Sequence, residues 1–480
     1  MPDFSTYQAP GLYTEAVQGQ QLMVRSSTPV AIGMFGVSVG YRELTESLTI
    51  NPDKLSEDAT EYLPADTRAL AFPGVRTDTI KIRNTYSGVE YSEGIDYTVV
   101  KSDSGDTTSL RDDLYVIRRV LDGNIVPGDV VEVSYRYTDQ EYFEPKVFWD
   151  FDDLRDQYGP PFDESGNIVS EITLAASLAF MNGARTIVTC AVDVTGSTPT
   201  LENYQTAMNK LRDNDTISII VPTTGMEQIQ QIVKSHVNQQ SMNRFERRAI
   251  MGRDGSAVAV PPSHLISNAQ TLDDRRLALV GPSRMKYFVP SLNKEVSIGG
   301  QYLAAAVAGI SASQAMAMPL TRRQVLGFSD MGEVHDETQK NLQSAGGVMV
   351  IERTRRNRIQ VRHGVTTNPM RALDREWSIT GQEDAMIYRI RDFLDNDNII
   401  GNIIDEIMLS SVKGSAEAAL QSLRNDRTIN DYRNLKVRQV NEYPDVVEVR
   451  FEWKPSMPLN YIVVRYSVSM TSGDATVQGI

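Results

Sequence analysis

The sequence predicts an α/β core with an antiparallel β domain inserted into it and a small sheet at the C-terminal end. Three observations carry that prediction. From about residue 147 to 310, apolar strand-like runs alternate with helical stripes, the pattern of a mostly parallel sheet covered on both faces. Between 41 and 146, short runs rich in β-branched and aromatic residues are separated by Ser87-Gly, Ser104-Gly-Asp, Asp122-Gly-Asn and Pro127-Gly-Asp turns. From Leu435 onward, three runs alternate at period two, as half-buried strands do.

The totals bound the function. The 480 residues are enough for several cores, and 41% hydrophobic with 23% charged is ordinary for globular protein. Lys and Arg number 48 against 62 Asp and Glu, a net charge of −14. So acidic a chain is not expected to bind nucleic acid directly, because that binding rests on neutralising phosphates. The one cysteine, Cys190, rules out an internal disulfide and fits folding in a reducing compartment. No signal peptide and no apolar run of membrane-spanning length is read, so no membrane insertion is expected. His236, His264, His335 and His363 lie far apart, and no metal or cofactor is expected.

In chain order, residues 1–28 read as an arm. After the Pro10-Gly turn signal, Tyr13, Glu15 and Val17 alternate with Leu12, Thr14 and Ala16, which reads on composition as a frayed terminus and on pattern as a short strand with no partner in its own domain. Pro29 to Val39 is a continuous apolar run suited to a buried central strand. Its glycines do not make a dinucleotide fingerprint. Residues 29–40 and 147–310 are assigned to the α/β core and 41–146 to the inserted β domain. The β runs in the insert are Thr79 to Arg83, Tyr97 to Val100, Leu114 to Val120 and Val130 to Tyr137.

In the core, Asp150 and Ser170 are placed to cap helices, the first stopping at Gly159-Pro-Pro161. Strands at Thr186 to Val192, Thr216 to Val221, Arg248 to Met251 and Leu277 to Val280 alternate with helices over 200–212, 225–240 and 299–310. Residues 311–470 are assigned to a C-terminal α+β domain and 471–480 to a second arm. Within that domain Val348 to Ile351 and Arg358 to Arg362 read as strands across a basic turn. A long helical region opens at Asp384 and runs to about 411, and a separate helix covers Ala416 to Leu423.

The terminal sheet is read as three strands. The first is Leu435 to Val440. In the second, Val447, Val449, Phe451 and Trp453 share a face. In the third, Ile462, Val464, Tyr466, Val468 and Met470 do. Such a sheet has two open edges, each a template for another chain unless covered.

No catalytic constellation stands out: there is no G-x-S-x-G, Walker A, H-E-x-x-H or paired C-x-x-C. Asp395-Asn-Asp-Asn398 reads as a polar helix break rather than a calcium loop. Arg353, Arg355, Arg356, Arg358 and Arg362 form a basic strip with Arg371 further on. In an acidic protein it suits an acidic partner or another copy of the chain. A competing reading is a flavodoxin-like enzyme with the β domain as a lid. Its support is Asp193 and Thr223-Thr224-Gly225 at strand ends.

Four stretches resemble contractile tail sheath proteins, in that family's order. Pro10-Gly-Leu-Tyr-Thr-Glu-Ala-Val17 is similar to the opening PGVYVEEV arm. Glu144-Pro-Lys-Val-Phe-Trp-Asp-Phe-Asp-Asp-Leu154, with Tyr158-Gly, resembles the lead-in to the α/β domain. Asn182-Gly-Ala-Arg-Thr-Ile-Val-Thr-Cys-Ala-Val192 resembles the NGG…YVVRV segment, and the terminal strands with Pro455 and Pro458 between them resemble the closing strand pair. The resemblance spans about two thirds of the chain. Ala184 stands where the family often has a second Gly, and Gly364-Val-Thr-Thr367 lies where a WGART segment would fall.

The resemblance implies a non-enzymatic subunit without cofactor, stacked in helical rings around a tail tube and contracting to drive the tube into a host cell. It implies partners among other copies of the chain, the tube protein, the baseplate and the tail terminator. It places the protein in the virion tail, assembled in the host bacterial cytoplasm. It also implies strand exchange, with Leu12 to Val17 of one copy joining a sheet of another whose inner face is Val447, Val449, Phe451, Ile462, Val464, Tyr466 and Val468. A baseplate or other tail component is the remaining alternative.

Overall fold

A computed structural model describes residues 13–16, 20–23, 31–55, 62–63, 67–72, 74–101, 114–138, 140–194, 198–395, 399–468 and 475–477. The chain divides into two compact units. One holds Met1–Met34, Ala175–Val188 and Arg212–Ile480; the other holds Phe35–Leu174 and Thr189–Leu211.

In the larger unit the strands Ile217–Pro222, Arg248–Gly252, Leu277–Gly281, Val348–Arg353 and Ile359–Val361 lie side by side in that order in one sheet. The strands from Ile217–Pro222 to Val348–Arg353 pair in parallel, and Ile359–Val361 closes the edge antiparallel. Ala31–Gly36 is buried along its length, the outcome expected of an uninterrupted apolar run. Helix Gly300–Ala312 is almost wholly buried, and its small residues allow close approach. A Cβ at Gly309 would collide with the Ala179 carbonyl oxygen, and one at Gly252 with the backbone of Gly300.

Several elements depart from the sequence reading. Val348–Arg353 and Ile359–Val361 belong to this sheet, so the chain does not divide at residue 310. The sequence reading left out the hairpin Arg284–Val289 with Lys294–Gly299, turned by Asn293 in left-handed conformation (φ 47°), and the helices Pro262–Leu272 and Glu337–Ala345. The long helical region is two helices, Trp377–Leu394 and Glu406–Asn425. The second begins on Asp405, whose carboxylate accepts from the Met408 N–H at 2.7 Å, and absorbs the helix expected from Ala416 to Leu423.

In the other unit, Arg42–Thr49, Val130–Tyr137, Val75–Asn84 and Glu90–Tyr91 form an antiparallel sheet in that order, beside a hairpin of Tyr97–Lys101 with Tyr115–Arg119. Their inward residues make a closed core of Leu48, Ile82, Ile117, Val131, Val133 and Tyr135 among others. The first and last residues of this sheet, Arg42 and Tyr137, are paired partners. Helix Phe151–Tyr158 is capped by Asp150 and stops at Gly159 (φ 78°). Ser170 Oγ accepts from the Thr173 N–H at the start of the next helix. The Tyr142 hydroxyl, buried, meets Ser38 Oγ at 2.9 Å and accepts from the Gly40 N–H at 3.0 Å.

Candidate assembly interface

The terminal sheet is a two-stranded hairpin, Ile429–Val440 with Tyr443–Pro455, turned at Asn441-Glu442. The strands are long and bulged at three places, one of them around Asn434 (φ 59°), and each outer edge is unpaired among the described residues. One face packs on the two C-terminal helices. Tyr432, Leu435, Val437, Val447, Val449, Phe451 and Trp453 lie against Met386, Ile390, Leu394, Val412, Ala416 and Leu420. The period-two reading of Val447, Val449, Phe451 and Trp453 is therefore right about the face.

The opposite face is charged and paired across the strands. Arg433 Nε donates to Glu452 at 2.7 Å, and Arg438 Nε and Arg450 Nη2 donate to Glu448 at 2.6 and 2.8 Å. The Arg438 hydrogen bond holds the Glu448 carboxyl below the usual range against partial burial, with Arg450 adding to it. The Asn434 and Arg433 hydrogen bonds do the same for Glu452.

The third strand is not in this sheet. Tyr466–Val468 pairs with Ala475–Val477 instead, so part of the arm assigned to 471–480 forms a strand within the chain. Ile462, Val464 and Tyr466 do not line an inner face: they are 76%, 69% and 76% exposed, and Leu459, Tyr461 and Val463 are exposed with them. Period-two alternation specifies an extended backbone but says nothing of what it pairs with. Val468 is in the short strand, and Met470 lies outside the described residues.

Before this apolar tail the chain is pinned twice. Gln382 exchanges two hydrogen bonds with the Ser456 backbone, its Nε2 donating to the carbonyl and its Oε1 accepting from the N–H, both at 2.8 Å. Four residues on, Asn460 Nδ2 donates to the buried Glu376 carboxylate at 3.0 Å. His363 Nε2 reaches the same oxygen at 2.7 Å, and Thr321 Oγ1 lies 3.4 Å from Asn460 Oδ1. The Tyr461 ring stands edge-on to His363 at 6.4 Å.

The N-terminal arm also differs from its reading as a strand without a local partner. Tyr13–Ala16 pairs antiparallel with Gln20–Met23, so Tyr13, Thr14, Glu15 and Ala16 form a small hairpin within the chain. Gln20 and Gln21 supply part of the second strand. Leu12 and Val17 lie outside the described residues.

The mount beneath the hairpin is ionic. Helix Trp377–Leu394 is tied to segments around residues 246–248 and 275–276 by buried and half-buried pairs. Arg391 bridges both Glu246 oxygens at 2.7 and 3.1 Å, Arg276 meets Asp384 at 2.9 Å, and Arg275 grips Glu383 with two hydrogen bonds. The Arg248 guanidinium lies 4.4 Å over the Trp377 ring. Burial pushes the Glu246 carboxyl up, opposed by Arg391. Sequence reasoning missed this lattice and the Asn460 cluster, because Asn460 lies more than eighty residues from Glu376 and His363, and Arg275, Arg276 and Arg391 lie more than a hundred from their carboxylates, so no local spacing betrays them.

Of the residues offered for an enzyme, Thr223 and Thr224 are buried, Gly225 is pressed on the Asp254 backbone, and Asp193 is exposed. Cys190 is in the core, its thiol hydrogen-bonded to the Phe143 carbonyl and pushed up to about 12 by burial. Among the described residues no group of His, Cys, Asp or Glu could hold a metal ion, and no helix is long and apolar enough to cross a membrane.

What the chain offers is backbone edge and an exposed apolar tail on an ion-braced mount, the features of a structural assembly subunit. No protein-family model matches it. A tail sheath protein of Mycobacterium phage Bxz1 is 45% identical, over 99% of this chain and 98% of that relative. The chain belongs to the tail sheath protein family, and like that relative it is a structural protein rather than an enzyme. Solved structures share the fold. The contracted helical sheath of the anti-feeding prophage has a TM-score of 0.54 at 13% identity, covering 69% of this chain and 90% of that one. The contracted sheath of PVC, an extracellular contractile injection system, has 0.53 at 10% identity, covering 97% and 99%. The anti-feeding prophage baseplate includes a chain at 0.50 and 12% identity, covering 97% and 100%.

Proposed function

We propose that this sheath subunit polymerises as helically stacked rings around a tail tube, each copy lending a strand to the C-terminal hairpin of a neighbour. The polymer then contracts to drive the tube into the host cell. The observation that carries this reading is the pairing of two long open edges with an exposed apolar segment in the same chain. The hairpin Ile429–Val440/Tyr443–Pro455 lacks an edge partner among the described residues, and Leu459 to Tyr466 presents apolar side chains to solvent. In this reading residues 1–28 and 471–480 are the exchanged arms, and the local hairpin of Tyr13–Ala16 with Gln20–Met23 opens when a neighbour offers a better edge.

The energetics are adequate. A five-residue strand adds about five hydrogen bonds at roughly 1 kcal/mol net each, and burial of its side chains adds to that. Exchanged strands let subunits rotate as rigid bodies while staying linked, so contraction draws on an extended state with poorer rigid-body contacts than the contracted one. The tube protein, baseplate and tail terminator complete the partner set. The polymer forms in the host bacterial cytoplasm and ends in the virion.

Deleting residues 1–20 tests the exchange. The expected product is a soluble, folded subunit that builds no tubes under negative-stain microscopy. Regular tubes from the deleted protein would overturn strand exchange.

A further inference from the structure

The basic strip has no role in the exchange just described, and the structure separates its members. Arg353 pairs with Asp330 at 2.6 Å, and Arg362 pairs with Glu337 and Glu352 at 2.9 and 2.8 Å. Arg355, Arg356 and Arg358 lie between them on a tight turn closed by Thr354 and Asn357 (φ 60°). All three are exposed, and none meets a carboxylate among the described residues. Arg322 and Arg323, also exposed and also without a carboxylate among the described residues, run alongside the next strand. The Arg322 N–H donates to the Val361 carbonyl and the Val361 N–H to the Arg323 carbonyl. Five uncompensated guanidiniums at one edge, in a chain of net charge −14, repel one another at a cost that an opposing acidic surface would remove.

The same chain carries a surface of the matching chemistry. Trp149 is 72% exposed, and beside it Asp150, Asp152, Asp153 and Asp156 are exposed on helix Phe151–Tyr158, with Arg155 alone set against them. An arginine cluster fits such a surface in two ways. Guanidiniums pair with the carboxylates, and one lies flat on the indole, as Arg248 already does on Trp377.

We propose that the Arg355–Arg356–Arg358 turn, with Arg322 and Arg323, docks on Trp149 and the acidic helix Phe151–Tyr158 of a second copy. The two surfaces differ, so the contact is heterologous, the kind that generates rings or helices rather than closed dimers. It rests on the polymer reading above and adds to it a rigid-body contact independent of the arms.

Charge exchange tests it. Arg355→Glu, Arg356→Glu and Arg358→Glu together should raise the concentration needed for tube formation about tenfold at physiological salt while leaving the subunit's melting temperature unchanged. Asp152→Arg, Asp153→Arg and Asp156→Arg should do the same, and a chain carrying both sets should assemble like wild type. Trp149→Ala should raise the threshold a few-fold, roughly the strength of a partly desolvated cation–π contact. The proposal is overturned if the glutamate variant assembles like wild type. It is overturned equally if that variant fails while the arginine variant assembles normally and the combined chain is not restored, which would place the acidic partner elsewhere, as on a tube. Wild-type protein run alongside separates this from the polymer reading: a wild type that forms no tubes counts against that reading, not against the charge pairing.

Discussion

Two antiparallel regions of this chain begin from the same kind of sequence and end differently. The β region from Arg42 to Tyr137 turns its alternating residues into a closed core, with Val131, Val133 and Ile117 buried, and one edge of its four-stranded sheet is a strand of only two residues. The C-terminal hairpin buries one face on two helices, leaves two edges of a dozen residues open, and is followed by an apolar segment in solvent. A period-two pattern therefore identifies a strand in both, but it does not tell a region folded into a closed core from a hairpin that leaves both long edges unpaired among the described residues.

The sharpest break of that comparison is a pair of deletions. Ending the chain after Asn460 should abolish tubes entirely and leave a folded monomer. Replacing residues 43–136 by a short Gly/Ser bridge should leave tubes intact, because Arg42 and Tyr137 are already neighbours. Electron microscopy with sedimentation reads both, and tubes from the first or none from the second would erase the distinction.

Next in size is Arg391→Met, which strands the buried Glu246 carboxylate and should cost about 3–5 kcal/mol of stability. Denaturant unfolding measures it, and assembly should fail with it because the hairpin's supporting helix loosens. Ile117→Ala opens a cavity in the closed β core and should cost about 2–5 kcal/mol, yet leave tube formation intact below the new melting temperature. Ile462→Ser with Val464→Ser should show the reverse, with unchanged melting and impaired assembly.

Asn460→Ala removes one hydrogen bond to Glu376 and should cost about 1 kcal/mol, seen as faster amide exchange confined to residues 457–465. The smallest effect is acid sensitivity of the hairpin. The Glu448 carboxyl is lowered by Arg438 and Arg450, so its contribution is present above the usual glutamate value of about 4.3 and is lost as pH falls through its lower folded value. Exchange protection of Tyr443–Pro455 should fall in that window, and Glu448→Gln should flatten the response.

The sequence was most legible where one local pattern decides the structure. Ala31–Gly36 reads as buried because it is apolar on both faces, and Asp150 and Ser170 read as caps from their position alone. Arg42–Thr49 escaped because only Leu44 and Leu48 mark its inner face among charged neighbours. The split between the two C-terminal helices was blurred by Ile399 to Ile407, which continues the apolar character past the polar break, although Ile403 and Ile407 turn out exposed. The arm hairpin was hidden in the polar Gln20-Gln21, and the Glu246, Asp384 and Glu376 partners lie in segments that only the tertiary fold brings together.

The pin at Asn460 also acts as a ruler. Six residue steps separate it from Tyr466, so that strand can begin no farther than about 20 Å from the pin, whatever it pairs with. If a neighbour holds the strand, that short leash caps how far the two bodies can slide apart in one stroke. A larger displacement must first pull Asn460 off Glu376 and pay out the slack back to the next hold at Ser456.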